Sequence, residues 1–215
     1  MKKLLIYTAG SGSREVLLAI RQQNAIEPIW DILGFVDEDP KIIGSEVDGY
    51  PVFGPDHNEI ANDVFGICGI MDSRIRMRIV EELIENKGIS LASFIHPSVN
   101  LPGDFEAGPG TIIMPSVNIS FDVKLGKGNF ILWDVLLGHH LRTGNYATIL
   151  SSAKITGGCS IGNRAIIGAG STLTVGVSIG NDSLVGYGTT VLQNVGDNTS
   201  IVSLPRQIVN MLNES

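Results

Sequence analysis

From Ile95 to Val191 a hydrophobic residue returns every six positions. The series runs Ile95, Leu101, Ala107, Ile113, Ile119, Leu125, Ile131, Leu137, Thr143, Ile149, Ile155, Ile161, Ile167, Leu173, Ile179, Val185 and Val191, and only Ala107 and Thr143 depart from Ile, Leu or Val. The next residue is often glycine, as at Gly126, Gly138, Gly144, Gly162 and Gly168, and the fourth residue on is small or β-branched, as at Val117, Val123, Ala147, Ala153 and Ser171. An amphipathic helix repeats every three to four residues and a half-buried strand every two. A period of six fits neither. It predicts a parallel β-helix, in which three short strands make a triangular coil of about 18 residues. The large aliphatic then stacks inward on its copies about 4.8 Å away. The small residue fills the inside of a corner, and glycine or a polar residue is expected to serve the turn, at positive φ.

The residues before this array read as an α/β unit. Residues 3–8 (KLLIYT) form a short apolar run, a buried parallel strand. Ala9-Gly10-Ser11-Gly12-Ser13 is a turn, and residues 14–23 have helical spacing at Val16, Leu17 and Ile20. Strand, glycine-rich turn and helix open a Rossmann-like unit, with a helix N-terminus suited to a phosphate. The full dinucleotide spacing is absent, since Glu15 stands at the third glycine position. Residues 32–36 look like a second strand, ending at Asp37-Glu38-Asp39-Pro40. Carboxylates there bind a ribose or base, or the segment is an ordinary solvated turn. A loop at residues 49–54, a third apolar run at 64–70, an amphipathic helix at 73–86 and a strand at 89–95 follow. The expected division is a Rossmann-like nucleotide- or sugar-binding domain over 1–94 and a β-helix domain over 95–215. Residues 205–212 would cap the open end of the β-helix, because an exposed coil edge invites pairing with another chain.

Composition narrows the function classes. The 215-residue chain is 43% hydrophobic and carries a net charge of −7. No uninterrupted apolar run reaches the roughly 18 residues of a membrane span, and residues 1–7 read as a first strand rather than a signal peptide. The charge and the absence of a basic run argue against nucleic acid as a partner. An anionic ligand must therefore be held locally, by backbone amides and a few Lys or Arg. Cys68 and Cys159 are too few for a disulfide scaffold and lack zinc-ligand spacing. They read as reduced core residues of a cytoplasmic protein.

Several segments carry a family likeness: Arg14-Glu15-Val16, Leu33-Gly34-Phe35-Val36-Asp37, Pro40-Lys41, Val47-Asp48-Gly49-Tyr50-Pro51-Val52, Phe94-Ile95-His96-Pro97-Ser98-Val99 and the hexad array. With them the whole chain resembles the bacterial sugar acyltransferases that join a small Rossmann-like domain to a left-handed β-helix. That family includes sialic acid O-acetyltransferases and N-acetyltransferases of UDP-linked 4-amino sugars. The resemblance implies an acetyl-CoA-dependent homotrimer with active sites between neighbouring β-helices. The N-terminal domain would hold the nucleotide or sugar, through Gly10, Ser11, Gly12, Asp37 and Glu38. The family's general-base histidine matches His139 in Leu137-Gly138-His139-His140-Leu141-Arg142. A histidine titrating near neutrality can take a proton from an amine or hydroxyl as it attacks a thioester. By position acetyl-CoA would pass Thr148, Gly157, Ala169 and Tyr187, with Tyr187 either stacking on adenine or simply covering a coil.

The sequence also departs from the family pattern. The acid that usually follows the base is His140, a second histidine aligns with Thr148, and Gly12 stands where a bulky residue would touch the sugar. The C-terminal pattern reads Ser203-Leu204-Pro205-Arg206-Gln207. An 18-residue coil puts Phe121 and Gly157 one coil either side of His139 and Asp122 beneath His140, where Asp122 is either the replacement acid or an ordinary surface carboxylate. The expected function is N-acetylation of a nucleotide-linked amino sugar, for surface polysaccharide or glycan synthesis. The alternatives are O-acetylation of a sialic-acid-type sugar, or a sugar-binding homologue without catalysis. A zinc hydrolase on this fold needs three histidines around one metal. His57, His96, His139 and His140 are too dispersed for that, and no metal is expected.

Overall fold

The computed structural model describes residues 1–56 and 63–203. The expected cap at 205–212 and His57 lie outside the described residues. The N-terminal part is built from β1 (Lys2–Tyr7), α1 (Ser11–Ile26), β2 (Trp30–Val36), β3 (Glu46–Val47), β4 (Tyr50–Phe53), β5 (Val64–Cys68), α2 (Ser73–Arg78) and β6 (Ser90–Leu91). Among the described residues these strands form one sheet in the order β3-β4-β2-β1-β5-β6. All its pairings are parallel except β3 with β4. Leu4, Leu5 and Ile6 of β1 are wholly buried, as expected for a central parallel strand covered on both faces.

Two sequence expectations change here. The helix expected at 73–86 is α-helical only to Arg78; a π-helical turn (Ile79–Ile84) and a 3-10 turn (Glu85–Lys87) follow, ended by left-handed Gly88. The wider turn keeps Ile79, Val80 and Ile84 all buried. The strand expected at 89–95 is two short strands. The first, β6, closes the N-terminal sheet, and β7 (Phe94–Ile95) pairs with Ile112–Ile113 of the β-helix. Between them the chain passes from one sheet to the other across Ala92 and Ser93.

The hexad array forms the β-helix. Except at exposed Ala107 and at Thr143, each two-residue strand of the array ends on the inward aliphatic. The 18-residue offset holds up to the last coil, as in the column Ile119, Leu137, Ile155, Leu173, Val191; there Val185 pairs with Ile201 and Ile179 with Val195, an offset of 16. Leu101 departs from the pattern, being exposed and outside any strand. Fully burying an aliphatic side chain contributes about 1.5–3 kcal/mol, so the wholly buried Leu137, Ile155, Leu173 and Val191 of that column are a large local term. The positive φ does not fall on the glycine after the aliphatic. It falls two residues later, at Ser116, Asp122, Asp134, His140, Ser152, Arg164 and Asp182 among others. The earlier glycine has a different cause: a Cβ on Gly138 would sit 2.6 Å from the Thr156 carbonyl carbon in the next coil. At that coil the backbone packs too closely for a side chain, whereas Met114, Leu132 and Leu150 carry one at the same place in the hexad.

One face of the triangle is covered. Phe94, Ile112, Met114, Phe130, Leu132 and Leu150 share a core with Leu4, Ile6, Val16, Phe35 and Ile67 of the N-terminal sheet. His139 lies beyond the end of another face, after the strand Leu136–Leu137.

Candidate active site

His139 follows the strand Leu136–Leu137 and sits on the corner after it. One coil below, the Phe121 ring stacks on the imidazole, with ring centroids 5.2 Å apart and planes 9° from parallel. One coil above is Gly157. A Cβ there would come within 2.9 Å of His139 Cδ2, and closer still to Cε1 and Nε2. The imidazole is therefore sandwiched between an aromatic ring and a bare backbone. Its Nε2 edge lies over Gly157.

The neighbouring polar groups are fixed by the coil. His139 Nδ1 lies 2.8 Å from His140 Nδ1. His140 Nε2 lies 3.8 Å from Asp122 Oδ2, beyond a hydrogen bond but within ion-pair range. Asp122 is mainly engaged by Arg142, whose Nη2 donates to its two oxygens at 2.7 and 2.8 Å. Those hydrogen bonds hold the Asp122 carboxyl below the usual carboxylate range. Asp122 and His140 both occupy the left-handed corner position, with φ of 53° and 57°. The structure thus brings His139, His140 and Asp122 together and adds Phe121, Arg142 and the bare Gly157 backbone. The 18-residue offset already pointed to Phe121. Arg142 carried no sequence signal, because its reach back over 20 residues depends on its rotamer.

The residues expected to bind substrate line a separate crevice of about 510 Å³ at the C-terminal ends of β1, β2 and β5. Thr8, Gly10, Ser11, Gly12, Asp37 and Glu38 form one side, and Ile70, Met71, Asp72, Ile75 and Ile79 the other. The first turn of α1 opens onto it with no side-chain cap and no acidic residue, which leaves helix N–H groups to meet an anion. Asp37 shapes the floor: its carboxylate accepts from Ala9 N at 2.8 Å and from Asp39 N at 2.9 Å. Glu38 pairs with Arg78, and that pairing holds its carboxyl low. Gly12 is glycine for packing, since a Cβ would collide with the Gly69 carbonyl oxygen. No bulkier residue fits there without moving the β5–α2 loop.

The expected acetyl-CoA contacts do not form one surface within the chain. Thr148 is a correction. It is fully buried under the N-terminal part, and its hydroxyl bonds Ser73 Oγ, Met71 O and Arg76. A side chain so enclosed offers no contact to a ligand. Gly157 serves by giving space to His139. Ala169 and the exposed Tyr187 follow Ile167 and Val185, so they lie on a different corner of the triangle from His139.

Sequence reasoning also missed Arg76. It is wholly buried, and burial lowers its pKa to about 10. It donates to the carbonyls of Ile70, Met71, Gly128, Tyr146 and Ala147, joining the crevice loop to the β-helix. Among the described residues no group of three or more His, Cys, Asp or Glu is placed to hold a metal, and no helix is long and apolar enough to cross a membrane.

Compared with known proteins, the chain matches the PglD N-terminal domain over residues 3–83 and the bacterial transferase hexapeptide (six repeats) over residues 140–174. No curated protein matches it by sequence. Among solved structures it is similar to a mutant perosamine N-acetyltransferase from Caulobacter crescentus in complex with CoA and GDP-perosamine. The two are 26% identical over 97% of each chain, with a TM-score of 0.85. It also has the fold of the acetyltransferase domain of PglB from Neisseria gonorrhoeae, solved with acetyl coenzyme A: 21% identity over 94% of this chain and 96% of that one, TM-score 0.82. WeeI from Acinetobacter baumannii is a third: 24% identity, 96% and 99% coverage, TM-score 0.80.

Proposed function

We propose that this chain, which joins the two modules of the hexapeptide-repeat sugar acyltransferases with a left-handed β-helix, moves an acetyl group from acetyl-CoA to the amino group of a nucleotide-linked sugar. The observation that carries the reading is the His139 site: an imidazole held rigidly between Phe121 and Gly157. His139 Nε2 accepts a proton as the amine nitrogen bonds to the thioester carbonyl carbon. The C–S bond then breaks, and the leaving thiolate takes that proton from the imidazolium. General-base help of this kind contributes about 10²–10⁴-fold. The CoA- and GDP-perosamine-bound Caulobacter structure, matched end to end above 25% identity, supports both substrate classes.

The crevice at the N-terminus of α1 is the proposed seat of the nucleotide diphosphate, received by helix N–H groups. Asp37 positions the turn beside it. Residues 1–94 then hold the acceptor, and residues 95 onward carry out the transfer.

The working unit is a homotrimer. Ala169 and Tyr187 lie on a different corner from His139, so only a second copy can bring such a corner to the imidazole of the first. Phe121, Leu136 and Val175, on or beside the His139 corner, are 53%, 41% and 76% exposed, an apolar stripe suited to cover by that copy. Both cysteines are free and buried, which supports a reducing, cytoplasmic setting.

The test is acetyl-CoA turnover against a panel of UDP-, dTDP- and GDP-linked amino sugars and sialic acids, with products identified by mass. Acetyl transfer to the nitrogen of one nucleotide-linked amino sugar is expected. Transfer only to a sialic acid hydroxyl would replace the acceptor, and no transfer to any member would end the reading.

A further inference from the structure

We propose that Asp122, acting through His140, fixes the tautomer of His139, so that Nε2 carries the basic lone pair; this rests on the reading of His139 as the base. Two imidazole nitrogens 2.8 Å apart share one hydrogen, donated by one ring and accepted by the other. If His139 Nδ1 donates, its Nε2 is free to take a proton above Gly157. If His140 Nδ1 donates, His139 Nε2 already carries hydrogen and the site has no base. An isolated imidazole prefers hydrogen on Nε2, but the shared bond lets only one of these two rings keep that form. The rings are otherwise alike, so a third group must choose between them.

Asp122 is that group. Its Oδ2 lies 3.8 Å from His140 Nε2 and is the acidic oxygen paired with that ring. A carboxylate attracts an N–H and repels a lone pair, so His140 keeps hydrogen on Nε2 and offers its Nδ1 lone pair to His139. His139 is then left with hydrogen on Nδ1. Arg142 keeps the carboxylate ionised and aimed, through bonds to both oxygens and to the Asp122 carbonyl. The backbone fixes the geometry, since Asp122 and His140 take the same left-handed corner one coil apart and His140 N donates to Phe121 O. Asp122, His140 and Arg142 are positioning residues, and His139 alone touches the reacting atoms.

Long-range ¹H–¹⁵N correlation spectra of the ¹⁵N-labelled full chain read each tautomer directly, independently of activity. The chain has four histidines, and the pair is assigned by loss of signal in His139→Ala and His140→Asn. Above the titration range, wild type should show His139 with hydrogen on Nδ1 and His140 with hydrogen on Nε2. In Asp122→Asn, Arg142 claims the amide oxygen and the amide N–H faces His140 Nε2. The preference should then invert, and kcat should fall at least about tenfold with the acetyl-CoA KM unchanged. In the His140→Asn background, where the Asn oxygen replaces Nδ1 as acceptor, Asp122→Asn should cause no further loss. A wild-type His139 with hydrogen on Nε2 would overturn the proposal, and so would an Asp122→Asn protein with unchanged tautomers. Wild-type turnover in His139→Ala would instead remove the base reading beneath it.

Discussion

Gly157 carries the sharpest consequence of the His139 sandwich. Alanine there adds one methyl group, with its carbon 2.9 Å from His139 Cδ2 and closer still to Cε1 and Nε2. Ordinary carbon contacts begin near 3.5 Å, so the imidazole must shift by about 1 Å. Phe121 on its other face blocks a small slide, so the ring has to swing outward. A 1 Å misplacement of a reacting group costs on the order of 10²-fold in rate. Gly157 φ lies outside the left-handed region, so alanine is free of backbone strain there. Gly157→Ala should therefore lower kcat about 10²-fold with little change in Tm. The neighbouring Gly158 gives the opposite case. Its φ is +73° and a Cβ would meet only ordinary contacts, the nearest at 3.8 Å. Gly158→Ala should destabilise the fold by about 1 kcal/mol and leave kcat within a few-fold. Steady-state turnover and thermal melts on both variants are the assay. Wild-type kcat in Gly157→Ala would refute the argument that this glycine exists to seat the imidazole.

Three further outcomes follow from other parts of the structure. Arg76→Met strands five buried carbonyls and should cost at least about 3 kcal/mol by urea denaturation; a loss under about 1 kcal/mol would mean Arg76 does not bind the crevice loop to the β-helix. Hydrogen bonds from Arg164 and Arg74 hold the Asp182 carboxyl down at about 2, below its ordinary 3.8. A depressed carboxylate stabilises fully above its unfolded pKa and loses that contribution as pH falls through its folded pKa. Asp182→Asn should thus cost about 1 kcal/mol at pH 7, since Arg74 is largely solvated, and the difference should shrink from about pH 4 downward and vanish only below the folded pKa of about 2; a pH-independent difference would count against the pair. Asp37→Ala frees the Ala9 turn and should raise the acceptor-sugar KM about tenfold while sparing that of acetyl-CoA. Equal rises in both would point to a general folding defect.

The β-helix was legible because one inward residue per six is a strong, repeated constraint, and the pairing register follows it strand for strand. The turn of positive φ is taken by glycine or a polar residue as expected, for example Gly158, Asp122 and His140, but not by the glycine that directly follows the aliphatic. At Gly126, Gly138, Gly144, Gly162 and Gly168 the next coil's backbone lies too close for a Cβ, although other coils carry side chains at that place, and the left-handed turn comes two residues later. The Rossmann-like opening was legible from strand, glycine turn and helix, whereas the π turn at 79–84 depends on which side chains the core demands. At the site, the 18-residue offset placed Phe121, Asp122 and Gly157 around His139 and His140. Arg142 and Arg76 were invisible because long side chains choose partners in space. Thr148 failed for the same reason in reverse: its place in the hexad was right, but the N-terminal part packs over that face.

The central claim is that His139 is the base for acetyl transfer. The direct measurement is single-turnover acetyl transfer at saturating acetyl-CoA and amino-sugar acceptor, wild type beside His139→Ala, with acetyl-CoA binding measured on both. The account predicts a transfer rate about 10²–10⁴-fold lower in the variant, with acetyl-CoA affinity retained and the fold intact. A variant that transfers acetyl at the wild-type rate would contradict it.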